Sequence, residues 1–258
     1  MFLYLFCSII KNMKTYVVVP LYQEEQRFDV DYFNQLLQIP NTHWLLIDDG
    51  STDKTLELIN ELRSRYTNLE IKSNPINKGK TVSILDSYRY LINSLGTSEF
   101  NLAYLDGDGA FAINDIKRII LMGETSNYKL NYFAIYSSRL RISGRDIRRT
   151  ISRHLIGRLV VGILRLRFTN LPYDTQSGFK LYLNIPTLNL LLKKSFRSKW
   201  FFDIELIKFS RTLKPELPDG LKIWEEPLNN WRDVKGSKLS FKSAPTVIFE
   251  MLDLIKRK

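Results

Sequence analysis

"HWLLIDDGSTDKTLELINELRSRY", residues 43–66, holds the reading that decides the fold. Five residues, His43 to Ile47, run without polar alternation and stop at an acid pair, a glycine and a serine. An apolar run this short suits a strand covered on both faces. The period then changes: Leu56, Ile59 and Leu62 recur at three-residue spacing, which predicts a helix with one buried side. Ser51 or Asp53 stands where an N-cap belongs.

The same alternation extends outward. "TYVVVPL" (15–21) is a β-branched run, followed by a helical pattern through Phe33, Leu36 and Leu37. "LEIKS" (69–73), a helix from about Lys80 to Asn93, and "NLAYL" (101–105) continue the series. Short apolar strands alternating with amphipathic helices predict an α/β fold, with a mostly parallel central sheet and helices on both faces. No internal repeat or low-complexity linker interrupts it. One domain is expected over 14–240, with an N-terminal extension at 1–13 and an amphipathic C-terminal helix at 241–258.

Composition narrows the classes. A 44% hydrophobic fraction in 258 residues supplies an ordinary core. The single cysteine, Cys7, excludes an internal disulfide and points to a reducing cytoplasmic setting. With His43 and His154 it is also too little for a zinc site. "FLYLFCSII" (2–10) falls short of the roughly 20 residues a membrane span needs, and no basic segment precedes it. The net charge is +11, concentrated between Arg139 and Arg167, where nine arginines face one acid, Asp146. Such a stretch predicts an anionic partner.

In open α/β sheets the ligand sits outside the carboxyl ends of the strands. Three acidic clusters fall at that address: Glu24 and Glu25 after the first strand, Asp48 and Asp49 after the second, and Asp106 and Asp108 after the fourth. In and just after "LAYLDGDGAF" (102–111), Gly107, Gly109 and Ala112 also satisfy the spacing G-x-G-x-x-A of a dinucleotide fingerprint. That match is set aside. It lies on the fourth strand, and Asp106 and Asp108 would face a pyrophosphate with nothing to neutralise them. A divalent cation, Mg²⁺ or Mn²⁺, removes the conflict by taking one or two carboxylates together with substrate phosphates and water. A metal-clamped diphosphate on a parallel sheet suggests a nucleotide-sugar donor.

Eight motifs carry a resemblance. "VVVPLYQEE" (17–25), "LLIDDGSTDKT" (45–55), "NKGK" (77–80) and "LDGDGA" (105–110) resemble, in order and spacing, the glycosyltransferase family 2 enzymes of GT-A fold. "SSRL" (137–140), "YDTQSGFKLY" (173–182), "WFFDIEL" (200–206) and "GSKL" (236–239) resemble its dolichyl-phosphate glucosyltransferase and mannose synthase branch. The resemblance implies a nucleotide pocket of Pro20, Tyr22, Glu24, Asp48 and Asp49 with Lys80 nearby, and a metal on Asp106 and Asp108. It implies Asp174, Gln176 and Asp106 at the reacting sugar, and Arg139, Lys180, Arg232 and Lys238 for the acceptor phosphate. Three departures stand out: Gln23 replaces the usual Asn, Ser177 replaces the usual Cys of the glucosyltransferases, and no spanning helix is evident.

The basic segment offers another route to a membrane. Ile147, Ile151 and Leu155 recur every fourth residue, with Arg145, Arg148, Arg149 and Arg153 on the other side of the predicted helix. In the tail, Val247, Met251 and Ile255 line one face, and "KRK" ends the chain. Each basic residue near an anionic leaflet contributes about 1 kcal/mol. The sequence leaves open whether these helices lie on a membrane surface or pack on the core with solvated arginines. The expected activity is inverting transfer of a sugar from a nucleotide sugar, with UDP favoured, to a polyprenyl phosphate by an enzyme peripheral to the cytoplasmic face of the membrane. The alternative is transfer to a saccharide hydroxyl. Nucleic acid is not an expected partner, because the acidic rim argues against it.

Overall fold

Three consecutive valines, Val17 to Val19, have no exposed surface, so the strand that carries them is covered above and below. The computed structural model describes residues 13–148, 157, 160–168, 171–213, 217, 220–234 and 244–256. Five strands and five helices follow in the first half. They are β1 (Lys14–Leu21), α1 (Val30–Leu37), β2 (Thr42–Asp48), α2 (Thr55–Arg63), β3 (Leu69–Ser73), α3 (Lys80–Leu95), β4 (Phe100–Leu105), α4 (Ile113–Glu124) and, after the short α5 (Ser126–Asn131), β5 (Ala134–Ser138). Next come β6 (Asp146–Arg148) and a helical segment at 160–165, here α6. The remainder comprises β7 (Phe179–Tyr182), α7 (Ile185–Leu192), α8 (Phe202–Ser210), β8 (Ile223–Pro227), β9 (Asn230–Arg232) and α9 (Ala244–Lys256).

The main sheet has the order β3-β2-β1-β4-β7-β5-β8. Its neighbours are parallel except at β7, which runs antiparallel to both β4 and β5. Strand order reverses between β1 and β4, which opens a crevice at their carboxyl ends. On one face Val17, Val19, Leu46 and Leu105 meet Phe33, Leu36, Ile59, Ile116 and Ile119 from α1, α2 and α4. On the other, Val18, Leu45 and Leu102 meet Ile84, Tyr88, Leu188 and Leu206 from α3, α7 and α8. Successive strand residues point to opposite faces, so an unbroken apolar run is what two covered faces require.

One expectation is corrected, and one open alternative is decided. The helix expected across 145–155 begins instead as strand β6, paired in parallel with β9 so that Ile147 lies opposite Trp231. Alternation decides this: Ile147 is buried while Asp146 and Arg148 point outward. The rest of that stretch, including Ile151 and Leu155, lies outside the described residues. In α9 the stripe Val247, Met251 and Ile255 joins Leu254 against Phe201, Ile204 and Ile207 at the start and along α8, and against Val160 and Leu164 of α6. The packed reading is therefore the one realised for that stripe. The opposite side of α9 leaves Phe249 72%, Ile248 50% and Leu252 44% exposed. Among the described residues no helix is long and apolar enough to cross a membrane.

Candidate active site

At the carboxyl end of β2 the two aspartates turn inward. Asp48 accepts from the Ser51 amide at 3.2 Å and the Ser73 hydroxyl at 2.9 Å. Asp49 accepts from the amides of Lys78 and Gly79 at 3.0 and 2.8 Å, and from Asn74 and Ser83 at 2.8 Å each. Both are almost wholly buried, so these carboxylates organise the rim instead of presenting to solvent. Asp49 in particular fixes the loop before α3, which sets the position of Lys80. Gly50 allows this closeness: a Cβ there would stand 2.5 Å from the Ile76 carbonyl carbon.

The loop after β1 is tied to the same turn. Gln23 donates its amide to Ser51 at 3.0 Å and its side chain to Thr52 at 2.8 Å, and Glu24 donates its amide to Thr55 at 2.8 Å. Gln23 has φ +52°, a left-handed conformation in which Asn is enriched. The Glu24 carboxylate is held by Arg27 at 2.6 and 2.7 Å. Pro20 and Tyr22 are half-buried beside it. Helix α2 starts at Thr55, later than the expected caps. Asp53 still accepts the Thr55 amide at 3.0 Å, while Ser51 serves Gln23.

Between β4 and α4 stand Asp106 and Asp108. The Asp106 amide donates to the Gly178 carbonyl at 2.8 Å, and a Cβ on Gly178 would lie 2.2 Å from the Asp106 carboxylate. Gly107 lies on the end of β1, where a Cβ would meet Leu21 at 2.4 Å. Lys80 donates its ammonium to Asp106. Among the described residues Asp108 has no such contact: it accepts the Ala110 amide at 3.1 Å, and burial and then the charge of Asp106 push its carboxyl above the ordinary range. Tyr32 of α1 lies within the field of both acids. Its hydroxyl is buried without a hydrogen-bond partner, and burial and then the charge of Asp108 raise its pKa. Among the described residues no three acidic, histidine or cysteine side chains converge as a metal site. Two carboxylates at a crevice fit a hard divalent cation that takes its remaining oxygens from substrate and water.

The loop 173–178 forms the far wall. Arg139 grips Asp174 through two contacts of 2.7 Å and reaches the Gln176 carbonyl at 2.9 Å. Burial works against the Arg139 charge, but Asp174 outweighs it and the pKa rises. Glu225 of β8, which the sequence did not single out, accepts the amides of Tyr173 and Asp174 at 2.6 and 2.7 Å. The Gln176 side-chain nitrogen is buried and unpartnered. Lys180 is fully buried, bound to Asp203 and to the Thr175 carbonyl at 2.8 Å, which sets it in the core behind the loop. Ser177 is buried too, its hydroxyl paired with Ser137.

Arg232 lines an open cleft of about 880 Å³ that it shares with Arg141, Arg145 and Arg148. Asp146 and Asp233 also line the cleft. The acceptor-phosphate set expected from resemblance is thus divided between the ion pair at Asp174, the core and this cleft. Lys238 lies outside the described residues.

A parallel sheet with an Asp-x-Asp turn at its switch point and one antiparallel strand beside it defines a glycosyltransferase of GT-A fold. The glycosyl transferase family 2 model matches residues 16–198, and the chain belongs to that family. It is 25% identical over 261 residues to a dolichyl-phosphate beta-glucosyltransferase (ALG5D) of Trichomonas vaginalis, covering 96% of this chain and 75% of that one. The enzyme of the same name from Drosophila melanogaster is 26% identical, over 89% of this chain and 70% of its own. In structure the chain is similar to glucosyl-3-phosphoglycerate synthase from Mycobacterium tuberculosis in complex with UDP. That match has a TM-score of 0.62 and 18% identity over 94% of this chain and 80% of the other. It is also similar to a Pyrobaculum calidifontis mannosyltransferase in complex with GDP-Man and Mn²⁺, with a TM-score of 0.55 and 14% identity over 88% and 58%.

Proposed function

We propose that this glycosyltransferase moves a sugar, from a UDP-sugar in preference to a GDP-sugar, onto dolichyl phosphate or another polyprenyl phosphate, with inversion. The names of the relatives favour that acceptor. The observation that carries the reading is the pairing of two features. A carboxylate pair stands at the switch point, with Lys80 on Asp106 and no ion pair on Asp108 among the described residues, and a cleft lined by four arginines and two acids lies on the same molecule.

Asp106 and Asp108 would hold Mg²⁺ or Mn²⁺, which when bound supplies Lewis-acid stabilisation of the diphosphate leaving group. Pro20 and Tyr22 would border the nucleotide, with Lys80 within reach of its diphosphate. Asp48, Asp49 and Glu24 serve the pocket by holding its loops. A phosphate monoester has its second pKa near 6 and is already largely dianionic at neutral pH, so it needs cations and no general base. Asp174, committed to Arg139, fits a positioning role beside Gln176. Arg232, with Arg141, Arg145 and Arg148, offers the acceptor phosphate its charge-assisted contacts. A phosphate oxygen attacks the anomeric carbon as its bond to the diphosphate breaks, giving a β-linked lipid-phosphate sugar.

A lipid acceptor requires a bilayer within reach. The exposed stripe Ile248, Phe249 and Leu252 of α9, ending at the exposed Lys256, fits the interface of an anionic leaflet, as do the exposed Arg165 and Arg167. The enzyme would then act as a peripheral protein on the cytoplasmic face. The test is incubation with a panel of UDP- and GDP-sugars, a short polyprenyl phosphate and Mn²⁺, reading the lipid product. A labelled lipid from one donor supports the reading. Transfer only to soluble saccharides would replace it with a hydroxyl acceptor.

A further inference from the structure

The two acids flanking Gly107 are treated unequally. Asp106 has the ammonium of Lys80 on it, whereas Asp108 has no ion pair among the described residues and feels Lys80 and Arg27 only from further off, which burial and repulsion by Asp106 outweigh. Both ends of the Lys80 contact are placed by the surrounding structure. Asp49 holds the amides of Lys78 and Gly79, fixing the first turn of α3 from which Lys80 projects. Gly178 gives the Asp106 carboxylate its space, and the Gly178 carbonyl accepts the Asp106 amide. The Lys80 side chain is 44% exposed and that of Asp106 31%, so the ion pair faces the open crevice and is free to exchange.

An ammonium on an Asp106 oxygen and a divalent cation bonded at roughly 2.1 Å to the same carboxylate cannot coexist without strong repulsion. We infer that Lys80 is the resident counter-ion of the metal-free enzyme and couples metal binding to nucleotide binding. With no nucleotide present, an incoming cation must displace Lys80 into solvent and so binds weakly. With a diphosphate present, Lys80 transfers to its oxygens, and the displacement is offset by a new charge-assisted contact. Metal and nucleotide then strengthen each other by one shared factor, as linkage requires. The inference rests on Asp106 and Asp108 being the metal ligands, as proposed above.

The experiment is a Mn²⁺ titration of the full chain followed by electron paramagnetic resonance of the free ion, with and without UDP, so that no turnover is needed. Wild type should bind Mn²⁺ alone weakly and UDP should strengthen it. Lys80→Met should bind Mn²⁺ alone about three- to tenfold more tightly, the range of one partly exposed ion pair. In Lys80→Met the strengthening by UDP should shrink by a similar factor, and Lys80→Arg should restore wild-type behaviour. Asp108→Asn should lose Mn²⁺ under both conditions. If Lys80→Met binds Mn²⁺ no more tightly than wild type while Asp108→Asn loses it, the coupling role is wrong and the metal assignment stands. If wild type binds no Mn²⁺ with or without UDP, both fall.

Discussion

Beside Gly107, burial and the neighbouring charge of Asp106 hold the Asp108 carboxyl above the ordinary carboxylate range. The native state therefore binds that proton more tightly than the unfolded chain does. The contribution of Asp108 to stability is full below the unfolded carboxyl range and is lost as pH rises through the native value. Asp108→Asn removes this penalty. Without metal, the variant should melt above wild type at pH 7, with the gap closing below about pH 4 in thermal melts across pH with chelator present. The same variant should lose about a hundredfold or more in transfer rate, measured with saturating donor and Mn²⁺. Gly178→Ala tests the space for Asp106. Its Cβ would press on a carboxylate 2.2 Å away, so the expected outcome is a loss of about 1–3 kcal/mol in urea unfolding, together with weaker Mn²⁺ binding. The acid pair was legible in "LDGDGA" because like charges one residue apart call for a cation. That Lys80 is that cation in the metal-free state was not legible, because 26 residues separate the partners.

At the scale of elements, the loop 173–178 is held by groups from three strands. Arg139 follows β5, Glu225 belongs to β8, and Asp106 follows β4. Glu225→Ala would leave the amides of Tyr173 and Asp174 without their carboxylate. A cost of about 1–3 kcal/mol is expected in urea unfolding, and kcat should fall more than donor affinity. Behind the loop, Lys180 joins Asp203 to the Thr175 carbonyl, and the Tyr182 hydroxyl donates to Asp203 at 3.1 Å. Lys180→Met strands a buried carboxylate and should cost about 3–5 kcal/mol in the same assay. Replacing Asp203 by Leu as well should recover much of that loss. The family resemblance placed Lys180 at the acceptor, in the motif that carries Asp174 and Gln176. Alternation along β7 instead turns the side chain into the core, toward Tyr136 and Tyr104. The helix expected from Ile147, Ile151 and Leu155 failed at its start for a related reason. Period four cannot be told from a short strand at one residue, and the pairing with β9 supplied the deciding hydrogen bonds.

Across the whole molecule, the cores on the two sides of the sheet share strands but not helices, and a third cluster ties α6, α8 and α9 together. Packing of α9 consumes one apolar stripe and leaves another, Ile248, Phe249 and Leu252, in water. A helix apolar on two sides has more than a core to satisfy. Phe249→Glu should lower binding to vesicles containing phosphatidylserine by about tenfold while UDP affinity stays unchanged, measured by vesicle sedimentation and calorimetry. Wild-type vesicle binding should weaken as salt rises from 0.05 to about 0.5 M, because its basic residues act through a screened field.

The alternation of apolar runs and amphipathic repeats determined the α/β class by itself, because strands covered twice and helices covered once leave different periods in a chain. The same local logic put Asp106 and Asp108 at a strand end. Only the tertiary structure decided which charges meet. It turned Asp48 and Asp49 inward to hold loops, matched Arg139 with Asp174, buried Lys180 against Asp203 and gathered Arg141, Arg145, Arg148 and Arg232 on one cleft. The physical reason is range. Periodicity is fixed by neighbours three or four residues away, whereas an ion pair forms between whatever groups the folded sheet brings within about 4 Å.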